Sequence, residues 1–505
     1  MKITSDELRN LKPIIISVIG PTNEGKTSVL RTLTGDPNFG EINAYTGTTI
    51  RAEIQKVFYK RIVELLQLID TPGFQMSGKI LERIWAHKKT NEESLHFNLN
   101  DILEAIPFKE EDFLHDYRAW KEIARSDLII FVVNVAESPD QSLIRDSLIL
   151  LKHSAKPVIA VFNNVHKQNV IALDQKEIDN NLLLWRKRLQ NDGFHLSQIY
   201  DAHQRDFQNE FELFEKIAVY LNDPLQIKVL KLEMQERKNR EFRRLDLSRK
   251  AIAELLVDVA CYQECEVNID KDRLRVSMEE LEEKLKKNIL IREHKSHQSL
   301  LDIWDFRLGI LNRQMLTLKD EQAELNHLFG EKVRDHFKLG SSIGAGIGAT
   351  IGLTLDIALA GLSLGTGTLI GGALGGMLGG SVAGFYNIKY DKKDKKIFIQ
   401  PEKELITILL SRSVDLVQKL QSRGKALEDG VQILVSADPE IISAPDLYDY
   451  IKKNSSFHSL SHIETVYSSK KLLDFTKENV NREEVIETIV EHLRSILPNP
   501  EIIFE

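Results

Sequence analysis

The stretch that most limits what this chain can become is Gly20-Pro21-Thr22-Asn23-Glu24-Gly25-Lys26-Thr27, a G-x-x-x-x-G-K-T run. An apolar, β-branched run at 13–19 leads into it, and Ser28-Val29-Leu30-Arg31 continues as a helix. A glycine-rich turn between a strand and a helix lets successive backbone N–H groups converge on one anion, and the helix dipole adds positive potential there. The pattern is that of a phosphate-binding P-loop. Gly20, Asn23, Glu24, Gly25, Lys26, Thr27 and Ser28 are its candidate ligand contacts. Lys26 would reach the β- and γ-phosphates of a nucleotide, and the Thr27 hydroxyl would bind Mg²⁺.

A second landmark lies after the extended run 62–69, where the chain reads Asp70-Thr71-Pro72-Gly73. An aspartate there would hold Mg²⁺, usually through water, while the Gly73 N–H can bond the γ-phosphate. Between the two motifs, 40–51 is loop-like and contains Thr46-Gly47-Thr48-Thr49. Thr49 would complete the Mg²⁺ shell, with Thr48 as second choice. Thr27, Thr49 and Asp70 are thus the candidate metal set, and Lys26 and Thr49 the candidate catalytic residues.

Further strand candidates are 53–59, 127–135, 157–162 and 195–200, with helical patterns between them and a closing helix at 208–221. Strand alternating with helix predicts an α/β fold, a parallel-rich sheet with helices on both faces. The insert 74–126 is long for a connection, and its charges and aromatics (Trp85, Tyr117, Trp120) predict helices. Two readings stand for it: a segment that moves with nucleotide state, or a fixed decoration.

Together these motifs resemble the Era-like branch of the TRAFAC GTPases over residues 13–221. The whole layout is similar to a bacterial family in which such a G domain precedes an uncharacterised C-terminal domain with a glycine-rich apolar segment. The resemblance implies GTP/GDP as ligand, Mg²⁺ as cofactor and slow hydrolysis serving a nucleotide-dependent switch. The chain departs from the pattern in two places. The guanine-reading motif N/T-K-x-D is here Asn163-Asn164-Val165-His166. Asn163 fits, but a neutral histidine cannot reproduce a carboxylate's bidentate acceptance, so the choice between guanine and adenine stays open. Asp174 or Asp179 could substitute for the missing aspartate. The fifth motif is reduced to Asp201-Ala202, with Ala202 as its ligand contact. The other departure is Phe74, which stands where Ras-like enzymes carry the water-orienting glutamine. Asn23 occupies the place where some relatives coordinate K⁺, which implies a potassium-stimulated, dimer-dependent reaction; it could equally shape the loop.

Asp223-Pro224 predicts a boundary between a G domain, 1–222, and a helical domain, 223–505. From 225 to about 337 the pattern is helical and charged, with i,i+4 pairs such as Glu280/Lys284 and a break at 267–272. Cys261 and Cys265 read as ordinary helix residues of a reducing compartment. Residues 341–385 then contain one charged residue, Asp356, and glycines every fourth position, including Gly344, Gly348 and Gly352. That spacing predicts a glycine-rich helical hairpin at 340–386, basic on both flanks (Arg334 and Lys338; Lys389, Lys392, Lys393, Lys395 and Lys396). It would enter a membrane, or else drive oligomerisation by close packing. Helices are expected at 405–420, 445–452 and 482–497.

The net charge of −8 gives no case for nucleic acid as a partner. The acidic N-terminal residues lack an apolar signal segment. The expectation is a cytoplasmic protein on the inner face of the membrane. Its rival is a nucleotide-binding scaffold with little hydrolysis, in which the hairpin builds a homo-oligomer.

Overall fold

The apolar residues 128–133 and 158–162 are buried whichever way they point, as in strands covered on both faces. In a computed structural model of the chain they form the middle of a six-stranded sheet. The described residues are all but 1–4, 37, 41–51, 61, 91–95, 108–109, 167–173, 270–272, 307–385, 392, 425–444, 455–481 and 501–505. They divide into two compact units: Met1–Arg240 with Ser422–Leu427 and Pro500–Glu505, and Glu241–Gln421 with Glu428–Asn499.

The first unit runs α1 (Ser5–Arg9), β1 (Ile14–Ile19), α2 (Lys26–Thr34), β2 (Glu53–Tyr59), β3 (Val63–Asp70), α3 (Ser77–Thr90), α4 (Leu99–Ala105), α5 (Leu114–Arg125), β4 (Leu128–Asn134), α6 (Ser142–His153), β5 (Val158–Asn163), α7 (Gln175–Asp192), β6 (Ser197–Ile199) and α8 (Phe207–Val219). The strand order is β2-β3-β1-β4-β5-β6, with β2 antiparallel to β3 and every other pair parallel. The winding direction changes at β1, where doubly wound sheets open a crevice at the strands' carboxyl ends. The P-loop leaves β1 at that end.

The insert is helical, as expected: α3, α4, a 3₁₀ turn at Glu111–Phe113, and α5. Asn98 starts α4 with a capping box, accepting from the Asn100 and Asp101 N–H groups while Asp101 answers its own N–H. The insert shares a core with the sheet in which Phe74, Ile80, Ile102, Phe113, Trp120 and Ile123 are all buried.

A long helix, α9 (Pro224–Ala260), starts at the predicted boundary, where an Asp223 carboxylate oxygen accepts the Leu225 N–H at 2.8 Å. It continues without a break past Arg240, the end of the first unit's main segment. The second unit adds β7 (Glu264–Glu266), α10 (Leu274–Ile303), β8 (Tyr386–Asp391), β9 (Lys396–Pro401), α11 (Lys403–Ser422), α12 (Pro445–Asn454) and α13 (Arg482–Ile496). Its helices bury one large aliphatic core from Leu245 to Leu497. Asp258, 1% exposed, joins α9 to Arg292 of α10 at 2.8 Å and to Arg482 of α13 at 2.9 Å.

Two readings of this half need correction. The three strands form an antiparallel sheet, order β7-β9-β8, where the sequence suggested helix and basic flank. Ile397 and Ile399 alternate into the core while Asp391 accepts the Lys393 and Asp394 N–H groups to make the tip, so period-two burial overrode the lysine-rich composition. Cys265 accordingly lies in β7, and buried Cys261 follows the last turn of α9. The expected hairpin, 340–386, lies outside the described residues except for Tyr386, which begins β8. Among the described residues no helix is long and apolar enough to cross a membrane.

Candidate functional site

The P-loop closes because two glycines take backbone angles that side chains resist. Gly25 has φ 85° at the start of α2, and a Cβ there would lie 2.3 Å from the Asn163 amide nitrogen. On Gly20, a Cβ would meet the Val132 carbonyl of β4 at 2.4 Å. Asn23 is exposed at φ 70°, a left-handed conformation that asparagine tolerates better than most residues. The first turn of α2 is fixed by the Val29 N–H donating to the Gly25 carbonyl at 2.8 Å.

Lys26 is buried and donates to the Pro21 and Gly20 carbonyls at 2.7 and 3.3 Å. Burial pushes its pKa down, against the pull of Asp70 and Glu24. Next to it, Thr27 Oγ1 donates to Asp70 Oδ2 at 2.5 Å. Asp70 ends β3, opposite Val18 of β1, so the sheet register itself brings the two motifs together. A hydroxyl and a carboxylate side by side are the hard oxygen donors that Mg²⁺ takes, and this pair fits that ion. Thr49, the third expected ligand, lies outside the described residues, as do Thr48 and the rest of 41–51. Among the described residues no group of three or more His, Cys, Asp or Glu could hold a metal.

The Asp70–Gly73 motif docks onto the P-loop. The Thr71 hydroxyl donates to the Val18 carbonyl at 2.9 Å and the Phe74 N–H to the Gly20 carbonyl at 3.1 Å. A Cβ on Gly73 would lie 2.6 Å from the Thr22 Cα, so glycine is the residue that permits this approach. Phe74 turns inward, 1% exposed, and stacks on Trp120 of α5 with centroids 5.5 Å apart. It cannot face a nucleotide.

Asn163 links three expected site segments. Its Nδ2 donates to the Glu24 carbonyl at 2.9 Å, and its Oδ1 accepts the Ala202 N–H at 3.0 Å. The Ala202 carbonyl accepts from Thr32 Oγ1 of α2 at 2.7 Å, and Asp201 accepts from the Val165 and His203 N–H groups. Asn164 has φ 57°. The alternative acids are engaged within α7: Asp174 caps it, accepting the Glu177 N–H at 2.8 Å, and Asp179 accepts from Gln175 at 3.0 Å. Glu24 contributes its carbonyl to Asn163, while its buried side chain accepts the Asn134 N–H; burial, then Glu137, raises its pKa to about 8. Ser28 sits in the first turn of α2.

Three contributors escaped sequence reasoning. Arg31 ties α2 to the Phe39 and Gly40 carbonyls at 2.6 and 2.7 Å. Gly40 (φ 65°) sits so close that a Cβ would lie 2.6 Å from the Thr27 methyl. Asp116 of α5, fully buried, accepts the Gln75 N–H at 3.2 Å and the Met76 N–H at 3.1 Å.

Residues 15–164 match the family described as 50S ribosome-binding GTPase, and 186–491 that described as domain of unknown function (DUF3482). The tRNA modification GTPases MnmE of Bordetella parapertussis and Bordetella bronchiseptica are each 27% identical over 151 residues, 30% of this chain and 26% of theirs. The chain thus spans about a quarter of the length of these relatives. Among solved structures, Era from Aquifex aeolicus bound to GDP and aluminium fluoride has 17% identity and a TM-score of 0.27, covering 58% of this chain and 90% of Era. The G domain of the T. maritima FeoB iron transporter has 20% identity and a TM-score of 0.24, covering 41% and 99%. The strand order, the P-loop and the family match, rather than these superpositions, carry the fold: a P-loop GTPase domain followed by a mainly helical region. Since the second match takes in more than half of the chain, the chain belongs to the DUF3482 family.

Proposed function

We propose that the chain is a nucleotide-dependent switch that binds GTP and GDP and hydrolyses GTP slowly. The observation that carries this reading is the 2.5 Å contact between Thr27 and Asp70, with Lys26 on the same turn. Mg²⁺, held by Thr27 and Asp70, would supply charge neutralisation of the phosphates. The residues of the chain do the rest. The P-loop N–H groups hold the phosphates, Lys26 places its ammonium against them, and the Gly73 N–H answers the γ-phosphate. Asn163 braces the loop through the Glu24 carbonyl. Slow turnover follows from Phe74, because a phenyl ring buried against Trp120 cannot align water. Asn23 would hold K⁺ as a supplementary charge. The segment 340–386, apolar and basic at both ends, is proposed to seat the protein on the inner face of a membrane.

Lys26→Ala removes the ammonium and is expected to abolish nucleotide binding. Phosphate release by the full chain, with GTP or ATP in sodium or potassium, separates the switch from a scaffold: release from neither nucleotide favours the scaffold. Flotation with liposomes tests the membrane assignment, and recovery in the soluble fraction with no flotation would remove it.

A further inference from the structure

We propose that Glu24 is a positioning residue whose carboxyl must carry its proton for nucleotide to bind, so that filling the phosphate loop takes up a proton. This rests on reading the site as a nucleotide site.

Glu24 stands inside the G-x-x-x-x-G-K-T run, between Asn23 and Gly25 and two residues before Lys26. Asn23 is exposed, whereas Glu24 is turned inward and 1% exposed. An apolar side chain is the ordinary occupant of such a depth, and a carboxyl there needs partners. This one joins two strands to the loop. Its side chain accepts the Asn134 N–H at the end of β4, and its backbone carbonyl accepts from Asn163 of β5 at 2.9 Å. Asn134 in turn opens a tight bend: its carbonyl accepts the Glu137 N–H at 3.0 Å and its Oδ1 the Ala136 N–H at 3.0 Å.

That position does not tolerate a second anion. The charged groups that face Glu24 are Glu137, from the bend after β4, and Lys26, from its own turn; β5 presents the neutral Asn163. Burial, then Glu137, raise the carboxyl to about 8, against the Asn134 N–H and the Lys26 ammonium. Nucleotide brings phosphate charge to the N–H groups of the same turn. It also engages the Lys26 ammonium, which in this structure donates to the Gly20 and Pro21 carbonyls. Both changes favour the uncharged carboxyl. The proton comes from solvent, sits on a Glu24 carboxyl oxygen and returns when nucleotide leaves. The protonated group still accepts the Asn134 N–H through its carbonyl oxygen, so the brace survives while the repulsion is removed. Affinity is therefore complete below the value in the empty loop, about 8, and falls as pH rises above it.

The test is calorimetric titration of the full chain with Mg²⁺-GDP from pH 7 to pH 9, in pairs of buffers that differ in ionisation enthalpy. The wild type is expected to take up about half a proton per nucleotide at pH 8, where the free carboxyl is half ionised. Glu24→Gln imitates the protonated acid, with an oxygen to accept and an N–H to donate. It should take up no proton, and the ratio of wild-type to Glu24→Gln dissociation constants should grow about tenfold from pH 7 to pH 9. A residue that only braced the loop would change affinity by the same factor at every pH. Thermal melting confirms that the variant folds, and the wild-type proton count needs no variant. Binding of GDP by the wild type without proton uptake at pH 8 overturns the assignment and leaves the nucleotide site standing. Uptake that persists in Glu24→Gln does the same, since the proton then belongs to another group such as Lys26. Absence of GDP binding by the wild type at every pH removes both readings together.

Discussion

The Thr27 hydroxyl donates to Asp70 across 2.5 Å, although 43 positions separate them in the chain. One residue opens α2 and the other ends β3, and the parallel pairing of β3 with β1 fixes the distance between them. The contact is therefore a property of the sheet as much as of the side chains. Asp70→Ala should weaken affinity for Mg²⁺-GTP by at least tenfold, about 1.4 kcal/mol or more. The same change should alter metal-free nucleotide binding far less. Titration of GTP with and without magnesium checks this.

Asn163 presents a separate prediction. Its amide satisfies the Glu24 carbonyl and the Ala202 N–H while 1% exposed. Asn163→Ala leaves both buried backbone groups unpaired, which costs about 2–4 kcal/mol when each orphaned group costs about 1–2. Denaturant unfolding should show this loss, and nucleotide affinity should fall with it because the P-loop loses its brace.

Those two residues also mark how far the sequence could be read. Gly20–Thr27, Asp70–Gly73 and Asn163 were legible because phosphate and metal chemistry demands fixed residue types at fixed spacing. β1, β4 and β5 were legible because strands buried on both faces must be mostly apolar, and β3 because it runs into the Asp70–Gly73 motif. Gly40 and Arg31 were not, since their roles depend on where 39–40 folds back over α2. Asp116 was hidden for the same reason: nothing local to α5 announces a partner 40 positions upstream. β7, β8 and β9 were missed because short, lysine-rich alternation resembles a solvated flank until the core side is known. The hairpin and Thr49 lie outside the described residues.

Asp116 leads to a pH prediction. Burial raises its pKa from 3.8 to about 7, against the backbone N–H groups of Gln75 and Met76. A carboxyl that holds its proton more tightly when folded contributes stability that is complete below the unfolded pKa and is lost as pH rises through about 7. Asp116→Asn cannot ionise, so its stability relative to wild type should rise from pH 4 to pH 7 and level off above. Melting temperatures of the two proteins across that range measure it, and a constant difference would count against the assignment.

In the second unit, Asp258 answers both Arg292 and Arg482 through its two oxygens, each arginine being about 15% exposed. Removing this shared buried partner breaks both ion pairs at once, at a cost of about 3–5 kcal/mol. Asp258→Ala should lower the unfolding midpoint accordingly, whereas Lys250→Ala, whose pair with Glu483 is exposed on both sides, should shift it by less than about 1 kcal/mol.

Calorimetric titration of the full chain with GTP, GDP and ATP in the presence of magnesium goes to the heart of the functional reading. GTP and GDP should bind, ATP should not bind at the same concentrations, and Lys26→Ala should abolish the signal. Binding of ATP in preference to GTP, or binding unchanged by Lys26→Ala, would show that the site built from Gly20–Thr27, Asp70 and Asn163 serves another purpose.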